Sequence, residues 1–199
     1  MDVLSTIALG AGLGWASGLR LYAVLFCLGA LHYFGIVTLP LHLEIVAHPM
    51  VMAASGTMFL IEFGADKIPG FDSVWDAVQT FVRIPGGALL AAAAVADQST
   101  ALALAAAILG GTLAAGAHFT KAGSRVLINA SPEPFSNWTA SFTEDALAAG
   151  AVWFSLKYPL LMLALLLVLT ALMIWLLPKL WRGVVRVFST ARQLLGTRG

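Results

Sequence analysis

LLMLALLLVLTALMIWLL, Leu160 to Leu177, holds eighteen residues and no charge. As a helix it is about 27 Å long, close to the roughly 30 Å hydrocarbon core of a bilayer. On its C-terminal side Lys179, Arg182, Arg186, Arg192 and Arg198 follow at once. In residues 179–199 the cations and the apolar residues Leu180, Val184, Val187, Ala191 and Leu194 take opposite helical faces, so this segment reads as a basic amphipathic tail. Toward the N-terminus, apolar stretches recur at Ser141 to Leu156, Ala101 to Phe119, Phe81 to Ala96, Pro49 to Phe63 and Val3 to Gly35.

The chain is 60% hydrophobic and 11% charged, with a mean hydropathy of +0.90. Soluble domains average roughly 25% charged residues, so lipid is the expected solvent for most of this chain. The expected fold is all-α: one polytopic membrane bundle over residues 1–178, with about six spans, some short or broken. An acidic start at Met1-Asp2 argues against a cleaved signal peptide, and the single Cys27 has no intrachain disulfide partner.

Val3 to Gly35 is about 50 Å long as a helix, too long for one straight crossing. Gly10, Gly12, Gly14 and Gly18 supply a place to break it, with Arg20 just beyond; a long tilted helix with a snorkelling Arg20 is the alternative. Positive charge sets orientation. With the tail in the cytoplasm, Lys67, Arg83, Lys121 and Arg125 fall on the same side and Lys157 on the other, giving an N-in, C-in arrangement. The Pro69-Gly70, Pro85-Gly86-Gly87 and Pro132-Glu133-Pro134 breaks allow re-entrant segments in both charged regions, as do short packed helices.

Eleven of the twenty-one charged residues crowd into Glu62 to Arg83 and Lys121 to Asp145. Charge at membrane depth is costly, so it marks a site. Glu62/Asp66 and Asp72/Asp76 are spaced four apart, so each pair shares a helical face. Neighbouring carboxylates suit a proton or an oxygen-ligated cation, with Lys67 and Arg83 at hand as neutralisers. His118, Lys121 and Arg125 share a face in the second segment, where a cationic pair beside a helix start would suit a phosphate-sized anion. Ser131, Ser136 and Asn137 can cap the helix that follows. Glu144 and Asp145 lie too far along it to be explained by its dipole, and need Lys121, Arg125 or Arg20 as partners. The candidate ion- or substrate-binding residues are therefore Arg20, Glu62, Asp66, Asp76, Arg83, Lys121, Arg125, Glu133, Asn137, Glu144 and Asp145. His42, Glu44 and His48 read as a solvated loop. Ala103, Ala107, Gly111 and Ala115 read as a close-packing stripe.

Gly56-Thr57 recurs as Gly111-Thr112, and Trp75 to Ala88 is echoed by Trp138 to Ala151. Residues 49–97 and 103–156 are thus candidate parallel repeats, each a span, a charged segment and a span.

EFGADKIPGFDSVWD from Glu62, KAGSR from Lys121 and SPEPFSN from Ser131, together with Glu144-Asp145, resemble the bacterial integral membrane proteins grouped as domain of unknown function 4126. The resemblance runs from about Gly18 to Pro159. It implies a bacterial inner-membrane location and the importance of the two charged segments, and carries no activity over. The function expected from the residues is a transporter or channel for an ion or an anionic lipid head group. The alternatives are a metal-dependent intramembrane lipid-phosphate enzyme and a non-catalytic subunit or assembly factor. Expected partners are membrane lipids, an ion or lipid-phosphate ligand, and a second copy of the chain, which small-residue faces allow; nucleic acid is not expected. No cofactor or metal is assigned.

Overall fold

The computed structural model describes residues 2–130 and 134–196. The chain runs α1 (Val3–Tyr33), a 3-10 helix (Leu41–Ala47), α2 (Pro49–Ala65), α3 (Phe71–Val95), α4 (Thr100–Asn129), α5 (Pro134–Lys157) and α6 (Pro159–Gly196), with no strand among the described residues. The all-α expectation holds.

Helix starts follow local chemistry. The Asp2 carboxylate accepts from Ser5 N at 2.8 Å, and the Ser99 hydroxyl accepts from Leu102 N at 3.1 Å, so each satisfies an N–H that the first turn leaves free. Pro49 and Pro159 open α2 and α6, where a missing N–H costs nothing. Gly70, at φ 83°, makes the turn into α3 that other residues resist.

The break in α1 falls on Arg20, whose φ of −149° and ψ of 71° are not helical. Contacts on either side show how far the chain turns. Gly12 lies against Ser155, and Ile36 O accepts from the neighbouring Lys157 at 3.4 Å. Arg20, lying between them in sequence, instead reaches Ser141 Oγ at 2.8 Å, fourteen positions or about 21 Å back along α5. Residues 3–19 therefore descend into the bundle and residues 21–33 climb back out, a re-entrant hairpin with Arg20 at its apex. Phe26 against Gly56 and Gly29 against Val46 and Met52 trace the returning arm along α2.

This hairpin is the core. Leu9, Leu13, Ala16, Val24 and Leu28 are at most 1% exposed, and every other helix packs on α1. At Gly14 an added Cβ would sit 2.7 Å from Gly110 Cα, and at Gly18 one would sit 2.2 Å from Ala114 O, so here backbone meets backbone. The close-packing face of α4 is thus Gly110, Ala114 and Ala117; the expected stripe at Ala103, Ala107, Gly111 and Ala115 is only half-buried.

Length and composition qualify α1, α3, α4 and α6 as crossings, and the 3-10 helix with α2 as a bent one. Folded back on itself, α1 begins and ends at the same end of the bundle. Five helices, α2 to α6, run end to end around it, with outward Phe81, Leu89, Leu104, Ile108, Leu167 and Ile174 all more than half exposed. Thr6 shares a cleft with Asp97 and Gln98 at one end, whereas Gly183 of α6 packs on Leu127 at the other. The N-in, C-in expectation needed both termini at one end, and the hairpin puts them at opposite ends. Nor are the charged segments re-entrant: α3 begins at Phe71 and passes straight through Pro85, and α4 continues to Asn129. The basic tail is a continuation of α6 past Pro178.

Candidate functional site

Ten of the eleven candidate residues converge below the hairpin apex; Glu133 lies outside the described residues. The helix faces dictate the meeting. Asp72, Asp76, Gln79 and Arg83, at intervals of four, three and four, form the inward stripe of α3. His118, Lys121 and Arg125 do the same on α4, and Asn137, Ser141 and Glu144 on α5.

Arg20 ties α1 to α2 and α5. Its guanidinium lies 2.6 Å from Asp66 Oδ2, 2.8 Å from Asp145 Oδ1, 3.4 Å from Glu144 Oε2 and 3.9 Å from Glu62 Oε1. Lys121 Nζ donates to Asp66 Oδ2 at 2.9 Å and to Leu19 O at 3.3 Å, next to the break in α1, and lies 3.2 Å from Glu144 Oε2 and 3.5 Å from Asp76 Oδ1. Arg125 grips both oxygens of Glu144, at 3.0 and 2.8 Å, and donates to the backbone carbonyls of Asp66 and Asn137 at 3.0 and 3.1 Å. Arg83 pairs with Glu62 and, at 2.8 Å, with Asp76. All four cations are at most 3% exposed, as are Glu62, Asp66, Asp72 and Asp76.

Neutral groups fix the rest. Arg83 donates to His118 Nδ1 at 3.2 Å, so Nδ1 is an acceptor and Nε2, 2.7 Å from Thr80 Oγ1, carries the proton. His118 is therefore a neutral member of the face that it shares with Lys121 and Arg125. Asp72 accepts from Ser73 N and Asn129 Nδ2, both at 2.7 Å, in the first turn of α3, where the helix dipole favours its charge. Asn137 Nδ2 donates to Asn129 Oδ1 at 2.7 Å. Asp66 lies in the turn between α2 and α3. Burial works to raise its carboxyl, and the charges of Lys121, Arg20 and Arg125 overcome it, holding the group below the usual carboxylate range.

At the rim, Lys67 stands 2.8 Å over the Phe63 ring and donates to Phe63 O at 3.0 Å. His42 pairs with Asp97 at 3.2 Å and His48 caps α2, so neither joins a site with Glu44. Carboxylates alternate with guanidinium groups throughout, and among the described residues no three His, Cys, Asp or Glu side chains converge in metal-binding geometry.

Sequence reasoning missed Ser141, Asn129 and Gln79. Gln79 was findable, being in phase with Asp72, Asp76 and Arg83. Asn129 also continues the α4 face one turn beyond Arg125.

Apolar helices around a buried mixed-charge cluster define a helical membrane protein with an internal ionic site. The chain belongs to the family described as domain of unknown function (DUF4126), whose model matches residues 7–179. No curated protein matches it. No solved structure matches it either.

Proposed function

We propose that the protein is a transporter or channel that passes an ion through the cluster beneath the α1 hairpin. The observation that carries this reading is Arg20: a cation at the apex of a broken re-entrant helix, held by carboxylates from two other helices. Broken helices at membrane depth recur where a site must open to one side and then the other, because their backbone can rearrange without a whole span unfolding. The α2–α3 and α4–α5 pairs supply complementary halves, as a duplicated architecture would. Asp66 and Lys121 hold corresponding places when Gly56-Thr57 is laid on Gly111-Thr112, and they bind each other.

The chemistry favours a cation over an anionic head group. Most N–H groups of Arg20, Lys121 and Arg125 are directed at an oxygen of the protein, and Arg83 Nε is a buried donor without a hydrogen-bond partner, whereas four acceptors, Glu62 Oε2, Asp66 Oδ1, Asp76 Oδ2 and Gln79 Oε1, are buried without one. An arriving phosphate would find few free donors, Arg83 Nε among them, while a cation or proton finds four acceptors.

Lys67, Lys179, Arg182, Arg186 and Arg192 lie at the cluster end, against Lys157 at the other. The positive-inside rule then puts the cluster and the C-terminus in the cytoplasm.

A second reading, a non-catalytic subunit whose cluster is a static network holding the helices together, rests on the same engagement of donors by protein oxygens. Native mass spectrometry of gently extracted wild type and of a Glu144→Gln/Asp145→Asn variant separates the two. A carrier runs free of stoichiometric protein partners in both forms. A partner chain held by wild type and lost in the folded variant contradicts the transport reading.

A further inference from the structure

We infer that a hydroxyl-lined groove between α4 and α5 is the entrance by which a hydrated cation reaches the cluster, and that Glu144 is the first carboxylate it meets. This rests on the transport reading and gives it a route. Both helices pack on α1 while barely touching each other, which leaves a seam between them. The groove in that seam has a volume of about 510 Å³, far more than the roughly 30 Å³ share of one water, so an ion can enter with its hydration shell. At its floor are Lys121, Glu144 and Leu19, the residue just before the break in α1. The Glu144 side chain is 12% exposed, whereas those of Glu62, Asp66, Asp72 and Asp76 are at most 1% exposed. The groove therefore ends on a cluster carboxylate that can be touched from outside.

The walls select the sign of the charge. Thr120 and Ser124 from α4 and Thr139 and Thr143 from α5 each donate their hydroxyl proton to the carbonyl four residues back, at 2.8 to 2.9 Å. With those protons engaged, the hydroxyls offer their oxygens, which can replace part of a cation's hydration shell. Lys121 Nζ, beneath them, is directed at Asp66, Leu19 O and Glu144. An entering anion would meet hydroxyl oxygens and a carboxylate. The groove on the other side of α4, between α3, α4 and α6, is larger at about 860 Å³ but is lined by apolar side chains such as Val126, Leu180 and Trp181. Among the described residues it reaches none of the cluster's charged side chains. Size alone therefore does not pick out the route; the chemistry of the walls and the exposed Glu144 do.

Thiol labelling tests the groove without reference to flux. In a Cys27→Ala background, Ser124→Cys, Thr143→Cys and, on the outer face of α3, Phe81→Cys are reconstituted full-length in lipid and treated with small thiosulfonates of either charge and with an uncharged maleimide. Both groove positions should react with the charged reagents, about tenfold or more faster with the cationic one, while the 82% exposed Phe81 position reacts with the maleimide alone. Adding Glu144→Gln to Thr143→Cys should remove that preference. Reaction with the maleimide alone at all three positions, or faster reaction of the groove positions with the anionic reagent, overturns the inference. Flux through the same proteoliposomes, before and after labelling, separates this proposal from the reading it rests on. Flux blocked by cationic labelling of either groove position supports the entrance. Flux untouched after complete labelling of both overturns the entrance and leaves transport standing. A cation-selective groove in a wild type that passes no ion sinks the transport reading, and the entrance with it.

Discussion

Arg125 shows what each buried charge is worth. It binds both oxygens of Glu144 and two backbone carbonyls from different helices, with no solvent to take over if it is removed. Arg125→Met should cost roughly 3–5 kcal/mol in unfolding experiments, because it strands Glu144. Arg125→Met/Glu144→Leu should recover a large part of that loss, the excess over additivity being the pair's coupling. Asp66 sets a pH dependence of its own. Its folded-state carboxyl lies below the unfolded value of about 3.9, so its contribution is complete above that value and is lost as pH falls through the lower, folded one. Acid titration of the melting midpoint should therefore show a decline confined to the acid side of pH 4 or so, absent in Asp66→Asn. The acidic and basic residues of this site were legible in the sequence because charge is rare in the chain. Which pairs would form was not, except for Glu144 and Asp145, whose distance from the helix start already required Arg20, Lys121 or Arg125.

Among the elements, α1 is where sequence and structure differ most usefully. Its length and its glycines called for a break, and the break came at Arg20. That it reverses the chain could not be read locally, because the reversal depends on Ser155 and Lys157 of α5 meeting both arms. The charged stretches misled in the other direction. Asp72 to Arg83 and Asn137 to Asp145 look like interruptions in hydropathy, yet each is a single inward stripe on a continuous helix, where α1 supplies the missing counter-charge. Packing against that hairpin leaves no room for a side chain at Gly18, so Gly18→Ala should destabilise by about 1–3 kcal/mol. Gly64→Ala, on the open side of α2 with nothing within 4 Å, should be neutral or raise stability by about 0.5–1 kcal/mol through helix propensity. Thermal unfolding of the two variants side by side checks both signs.

At the scale of the whole molecule, the proposed arrangement has α2 to α6 crossing and the α1 hairpin returning to its own side, which puts the termini on opposite sides. A tag at the N-terminus and one at the C-terminus should report opposite compartments, with the C-terminal one cytoplasmic; protease or thiol-reagent protection in oriented vesicles reads this directly. The bundle was legible from composition, but the sidedness was not, since hydropathy cannot tell a re-entrant pair of arms from one long crossing. The central claim is that the cluster passes a cation, and the direct measurement is flux. Proteoliposomes enclosing a pH-sensitive dye, exposed in turn to proton, sodium and potassium gradients, should show lumenal pH changes with wild type. Glu144→Gln, reconstituted to the same level and verified as folded, should not. Proton-tight vesicles under every gradient, or equal flux from the two proteins, would contradict the account.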